Sequence, residues 1–453
     1  MAQPVWRQDR PVTVHHEERV PPVDPDRLRA DPVDPDRLRA DPVDPDRLRA
    51  DLTELLTIPS VSGSAAEAEV QAWLAERWTS EGMEVERWDI DIDALGADPE
   101  FPGMEVERSH ALGVTATLRG TGGGATLLLD GHTDVVPPGD LDAWTGDPFA
   151  VRRVAVDGEE RLIARGASDM KAGVAAMWAA VRAIADSGIA LRGDVILAPV
   201  SGEEDGGLGT FALLRHGVRA DMCIVPEPTE LCIVPGNGGA LTFRLTVHGL
   251  AAHASMRTSG FSVIEKFIPV YRALEELEAR RNAVVDPIMQ RWPIAYPLSI
   301  GTVHAGDWAS TVPDLLVAEG RLGVAIGESV EQARAELETS VAEVCARDPW
   351  LAEHPVTVTW WGGQFASGRT DPAHPITAIV GDEHRALFGA QPAIYGGPYG
   401  SDLRLLAGIG GIPTVHYGPG VPESAHTPDE YVATQQVVDA ANAMARMILR
   451  ICA

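Results

Sequence analysis

Residues 126–140 read TLLLDGHTDVVPPGD. A run of leucines meets a glycine, a histidine and an aspartate follow two apart, and prolines close the stretch. An apolar run of this length, bounded by turn residues, fits a strand buried on both faces of a sheet. In open α/β sheets ligands sit beyond the carboxyl ends of the strands, so His132 and Asp134 fall where a site is expected. The same ending recurs. DVILAPVSG runs into Glu203 and Glu204, MCIVP into Glu227, and IPTVHYGPGVPESA into His426. Asp169, in ARGASDMKAG, stands just before a helix whose N-terminus faces that edge.

The order of elements gives the architecture. From about 44 to 237, helical and strand-like segments alternate, which predicts an α/β sheet covered by helices on both faces. GVTATLRG and ATLLLD read as neighbouring strands joined across TGGG, a hairpin turn. MKAGVAAMWAAVRAIADSG reads as a helix closed by its glycine. From about 238 to 362 the order becomes strand, helix, strand, strand, helix, strand, the β-α-β-β-α-β pattern of a ferredoxin-like unit. Residues 363–453 return to helix, strand and helix. One domain is therefore expected from 44–237 and 363–453, with 238–362 inserted into it.

Residues 1–43 read as an N-terminal extension. The unit VDPDRLRADP occupies 23–32 and 33–42 and begins again at 43. One valine and one leucine per copy cannot build the core of a solenoid. The third copy alone has a structural job, with Asp44 as cap and Pro45 in the first turn of a helix. GMEVER occurs at both 82–87 and 103–108, and the pattern gives neither copy a role.

A length of 453 residues suggests two domains. The formal net charge of −29 argues against a nucleic-acid partner, which needs clustered Lys and Arg. Four cysteines lack metal-ligand spacing and read as reduced thiols. Neither a signal-like apolar segment nor a membrane span is evident, so no membrane partner and a cytoplasmic location are expected.

Taken singly, the residues at the strand ends have bland readings: a polar loop histidine, a helix-capping Asp169, an acidic turn at Glu203-Glu204. Their joint placement is the signal. Carboxylates crowded on one rim repel strongly unless cations sit between them. Two histidines complete a nitrogen and oxygen donor set suited to Zn²⁺, with Co²⁺ or Mn²⁺ as alternatives. His132 then reads as a ligand and Asp134 as the acceptor of its other ring N–H.

GHTDVVPPGD, GASDMKAG, SGEED, PEP and AHTPDE, in this order, resemble the motifs of the M20 family of metallopeptidases and amidohydrolases. That family includes acetylornithine deacetylase and succinyl-diaminopimelate desuccinylase, and the resemblance spans roughly residues 50–450. It implies a zinc-peptidase-like sheet flanked by helices, with the inserted ferredoxin-like unit as lid and dimerisation domain. It implies that Asp169 bridges two divalent metals, that His132 and Glu227 hold one, and that Glu204 and His426 hold the other. Glu203 would be the general base. A cation pair ~3.5–4 Å apart can acidify a water and polarise an amide carbonyl. Glutamate at position 227 implies deacylase or carboxypeptidase chemistry on a small N-acyl amino acid or short peptide.

The resemblance also makes His253, in HGLAAHASM, an oxyanion donor supplied by the partner subunit of a homodimer. Arg321, in EGRLGV, is a candidate for binding a substrate carboxylate. Asp402, in GGPYGSDLR, matches a loop near the site. One departure stands out: GDWASTVPD carries Ser310 where the family often has asparagine, which puts that substrate contact in doubt. Two rivals remain. GLGTFA (207–212) matches a dinucleotide fingerprint, but Glu203, Glu204 and Asp205 directly precede it where a pyrophosphate needs a positive field. A non-catalytic metal-binding member of the fold would have no need of Glu203.

Overall fold

The computed structural model describes residues 42–453, so the expected N-terminal extension, up to residue 41, lies outside the described residues. The first described helix, Pro45–Thr57, begins as its sequence dictates. The Asp44 carboxylate accepts from the N–H groups of Asp46 and Arg47, and Pro45 opens the first turn.

The principal sheet has six strands in the order Glu84–Asp89, Leu112–Leu118, Val195–Val200, Leu127–His132, Met222–Val225, Thr414–His416. The last four are mutually parallel, and Leu112–Leu118 runs antiparallel to both of its neighbours. The quoted leucine run lies centrally. Leu127 and Leu129 enter a core formed with the helices Pro45–Thr57, Lys171–Ser187 and Thr434–Cys452. Leu128 points the other way, into a core shared with helix Leu208–His216. Burial on both faces explains why the run has no polar alternation. The parallel strands all finish on one edge, which brings together the residues that follow them.

One sequence expectation is overturned. Leu112–Leu118 and Leu127–His132 are not a hairpin pair, because Val195–Val200 lies between them and pairs with both. The intervening segment crosses the turn at 191–193, where Thr121 N–H donates to Leu191 O (2.8 Å) and Gly122 N–H to Arg192 O (2.8 Å). A Cβ on Gly124 would stand 2.4 Å from Gly193 N, so the glycines serve this close crossing rather than a hairpin.

Residues 239–365 contain a second, four-stranded antiparallel sheet. Its order is Leu298–Ala305, Leu315–Val324, Gly239–His248, Thr357–Phe365. Alternation sorts its faces. Leu241, Phe243, Leu245 and Val247 are buried against the helices Val263–Arg281 and Val330–Arg347, forming a core of their own. The opposite face carries Thr242 directly across from Arg321. A small sheet of Arg152–Val156, Glu159–Ile163 and Tyr431–Ala433 was not anticipated. Its Asp157-Gly158 turn, with both residues at positive φ, is a hairpin signal the sequence did contain.

Phe243 is fully buried and meets Trp360 edge-on. Phe243→Ala should cost about 3–5 kcal/mol. Chemical denaturation measures this, and a loss below about 1 kcal/mol would mean that this core tolerates the cavity.

Candidate metal centre

Asp169 stands between two histidines. His132 Nε2 lies 3.0 Å from Asp169 Oδ1, and His426 Nε2 lies 3.4 Å from Asp169 Oδ2. Glu227 approaches His132 Nε2 at 3.9 Å, and Glu204 approaches His426 Nε2 at 3.0 Å. Two sets result, His132–Asp169–Glu227 and Asp169–Glu204–His426, and within each set the donor atoms lie within 4.8 Å of one another. Asp169 belongs to both.

The supporting contacts fix which atoms face this space. His132 Nδ1 donates to the backbone carbonyl of Asp134 (2.9 Å), leaving Nε2 for the carboxylates. Asp134 is thus the acceptor of that N–H through its main chain, and its carboxylate has other partners. It accepts from the backbone N–H groups of Glu203 and Glu204, each at 3.2 Å, and so clamps the acidic turn against the strand that bears His132. The loop bearing Asp169 is held by Glu430, a residue not singled out from the sequence although it closes AHTPDE. Buried Glu430 accepts from the N–H groups of Gly166 (3.0 Å), Ser168 (2.8 Å) and Asp169 (2.9 Å), and from Arg165 (2.8 Å). The peptide bond between Asp169 and Met170 is cis.

The electrostatics follow from crowding. Burial alone would lower both imidazoles, but Asp169 and the neighbouring glutamates override it; His132 is raised well above the usual range and His426 is pushed up to about 11. Burial pushes Glu227 and Glu203 well above the ordinary carboxylate range, with the acidic neighbours adding to it. The centre thus attracts positive charge. Two imidazoles and three carboxylates, with His132 Nδ1 committed elsewhere, are a donor set that fits two divalent cations.

Glu203 and Glu204 separate in role as well as position. Glu204 reaches His426, whereas Glu203 lines the cavity without belonging to either donor set. This cavity, of about 600 Å³, has Asp169, Glu203, Glu204, Glu227 and His426 at one end and Ser299 and Arg321 from the inserted sheet at the other. Asp402 does not line it. That residue is buried, and its Oδ2 accepts from Thr210 Oγ1 (2.6 Å), so it stands behind the site rather than against a substrate. His253 and Ser310 lie together on an exposed part of the inserted unit, where Ala254 N–H donates to Ser310 O (2.9 Å), and neither lines the cavity of this chain. The Ser255 N–H donates to His253 Nδ1 (3.2 Å), which leaves Nε2 as the donor of the neutral ring.

An open α/β sheet ending in paired histidine–carboxylate sets defines a class, the metal-dependent hydrolases. The model of Peptidase family M20/M25/M40 matches residues 128–450, and the chain belongs to that family. It is accordingly a metal-dependent hydrolase of the peptidase and amidohydrolase type, and the family's enzymes are dinuclear. Relatives include N-formyl-4-amino-5-aminomethyl-2-methylpyrimidine deformylase of Bacillus subtilis (strain 168), 29% identical, with 84% of this chain and 89% of the relative covered. Succinyl-diaminopimelate desuccinylase of Leptothrix cholodnii is 33% identical, with 81% and 89% covered. Among solved structures, a tripeptidase from Staphylococcus aureus shares the fold at TM-score 0.69 and 21% identity, covering 90% of this chain and 99% of that one. A dinuclear metal-binding peptidase of the M20 family from Bacillus subtilis does so at TM-score 0.59 and 18% identity, with 89% and 97% covered.

Glu430→Gln keeps the shape but turns an amide N–H₂ towards backbone donors. It should weaken metal binding by roughly 10–100-fold, read by competition with a chromophoric chelator. Unchanged affinity would remove Glu430 from the support of Asp169.

Proposed function

We propose that the chain removes an acyl group from the nitrogen of a small molecule, with Glu203 as the general base beside a two-metal centre. The observation that carries this reading is Asp169 standing between His132 and His426 at the floor of a substrate-sized cavity. In it, His132, Asp169 and Glu227 hold one cation and Asp169, Glu204 and His426 the other, Zn²⁺ being the metal these donors suit best. Bound there, such cations polarise an amide carbonyl and acidify a water. Glu203 would take a proton from the attacking water and pass it to the departing amine, a task matched by a carboxyl that lines the cavity and that burial has raised. Asp134 holds the Glu203 backbone against the His132 strand and so fixes the base relative to the ligands. Deacylation is favoured over peptide cleavage because the relatives with the higher identity are named a deformylase and a desuccinylase.

The reading extends to assembly. Residues 238–362 act as an inserted ferredoxin-like lid, and a homodimer forms through this unit so that His253 of the partner subunit donates to the developing oxyanion. Support comes from Ile264, Ile268 and Tyr271, exposed at helical spacing on Val263–Arg281, beside the unpaired edge of strand Leu298–Ala305. No helix among the described residues is long and apolar enough to cross a membrane. With four free cysteines, three of them buried, a reducing cytoplasmic setting suits the chain.

Release of free amine from N-formyl, N-acetyl and N-succinyl compounds and from dipeptides, with Zn²⁺ or Co²⁺ and again after chelation, tests the reaction class. Metal-dependent turnover of an acyl compound above that of dipeptides is expected, and the reverse order would make the chain a dipeptidase. Glu203→Gln should retain the metals and lose roughly 10²–10⁴-fold in kcat. Unaltered turnover would remove Glu203 from proton transfer.

A further inference from the structure

The second GMEVER copy has a place in this site. The first copy runs into the edge strand Glu84–Asp89, whereas residues 103–108 form a loop between the two sheets. Gln364 N–H donates to Pro102 O (2.9 Å), and a Cβ on Gly103 would collide with Gly362 O, so the loop lies flush against the inserted sheet. On its other side, Arg108 forks onto Asp205 (2.8 and 2.7 Å) and onto Glu67 (2.8 Å twice), with all three side chains buried. Asp205 also accepts from the N–H groups of Glu105 (3.1 Å) and Val106 (2.9 Å). The loop is therefore tied to the turn that presents Glu203 and Glu204.

This anchoring delivers one side chain to the cavity. Glu105 Oε1 accepts from Thr242 Oγ1 (2.7 Å) and from Arg321 Nη2 (3.0 Å), the two residues that face each other across the inserted sheet. Among the described residues lining the cavity, Arg321 is the only arginine or lysine, and its guanidinium is engaged by Glu105. A substrate carboxylate arriving there meets a glutamate already on the expected fork, and two anions at that range repel.

We propose that Glu105 selects the substrate: by occupying Arg321 and presenting acceptor oxygens, it directs the cavity to N-acylated amines that carry further N–H donors and lack a carboxylate. The proposal rests on the deacylase reading above and narrows it. An amino group or protonated nitrogen on the leaving half can donate to Glu105, while the acyl end lies against the metal centre. Arg321 then acts as the partner that orients Glu105 rather than as a carboxylate clamp.

Metal-loaded enzyme should be assayed on matched pairs differing only in the carboxylate, such as an N-formyl diamino acid and the N-formyl diamine that lacks its carboxylate. Binding of the two deacylated products should be measured in parallel by calorimetry. The wild type is expected to favour the carboxylate-free member at least tenfold in kcat/KM and in product affinity. Glu105→Gln should shrink that preference, chiefly through a lower KM for the carboxylate member. Turnover without such a preference, or a preference unmoved by Glu105→Gln, overturns the selector and leaves the deacylase reading standing. Absence of turnover on every pair, with the binding preference and its Glu105→Gln shift intact, sinks the deacylase reading and leaves the selector standing.

Discussion

Asp169, Glu204 and Glu227 cannot all remain ionised in one small, largely buried space unless positive charge stands with them. Much of the surrounding structure serves that constraint. The parallel strands converge because His132 and Glu227 must come from different strand ends, and the buried carboxylates of Asp134 and Glu430 collect backbone N–H groups from the loops that carry the others. The supports share a chemistry. Each is an anion that collects main-chain N–H groups and so holds a loop still; Glu430 is also paired with the buried Arg165, whereas Asp134 accepts from backbone and the Ser62 hydroxyl.

The second constraint is the meeting of two sheets. Each has its own apolar core, and the cavity lies where the carboxyl edge of one faces the polar side of the other. One wall is built from Asp169, Glu203, Glu204, Glu227 and His426; the other includes Glu105, Ser299 and Arg321. Chemistry and selection therefore sit on separate scaffolds. The 103–108 loop touches both, through Arg108 to the catalytic turn and through Glu105 to the inserted sheet. The two walls are thus joined by a loop that is held at one end by a buried ion network and meets the second sheet at the other through the part-exposed Glu105–Arg321 pair.

The sequence carried the central parallel strands and the five residues that the structure gathers into two candidate donor sets, because each follows an apolar run or opens a helix, and that is a local pattern. It misled where a local pattern had two meanings: the glycine run at 122–124 suits a hairpin as well as a close crossing, and only the position of Val195–Val200 decides between them. Glu430, Arg108 and Glu105 escaped notice for another reason. Their partners lie 41 to 265 residues away, so no spacing betrays them. Asp134 was expected to accept the other ring N–H of His132 and does so through its backbone carbonyl, a choice of atom that a sequence does not carry. GMEVER is the sharpest case. The same six letters end as strand in one place and as cavity wall in another, because Arg108 finds Asp205 and Glu67 and Arg87 does not.

Two cores with one shared cavity also divide the thermodynamics of ligation. In the proposed site a metal pair would touch only residues of the half that carries the principal sheet, so its binding would stabilise that half. A ligand long enough to reach from His426 to Arg321 would touch both halves. Occupancy of the cavity would then add to the tie between the two halves that the 103–108 loop already makes.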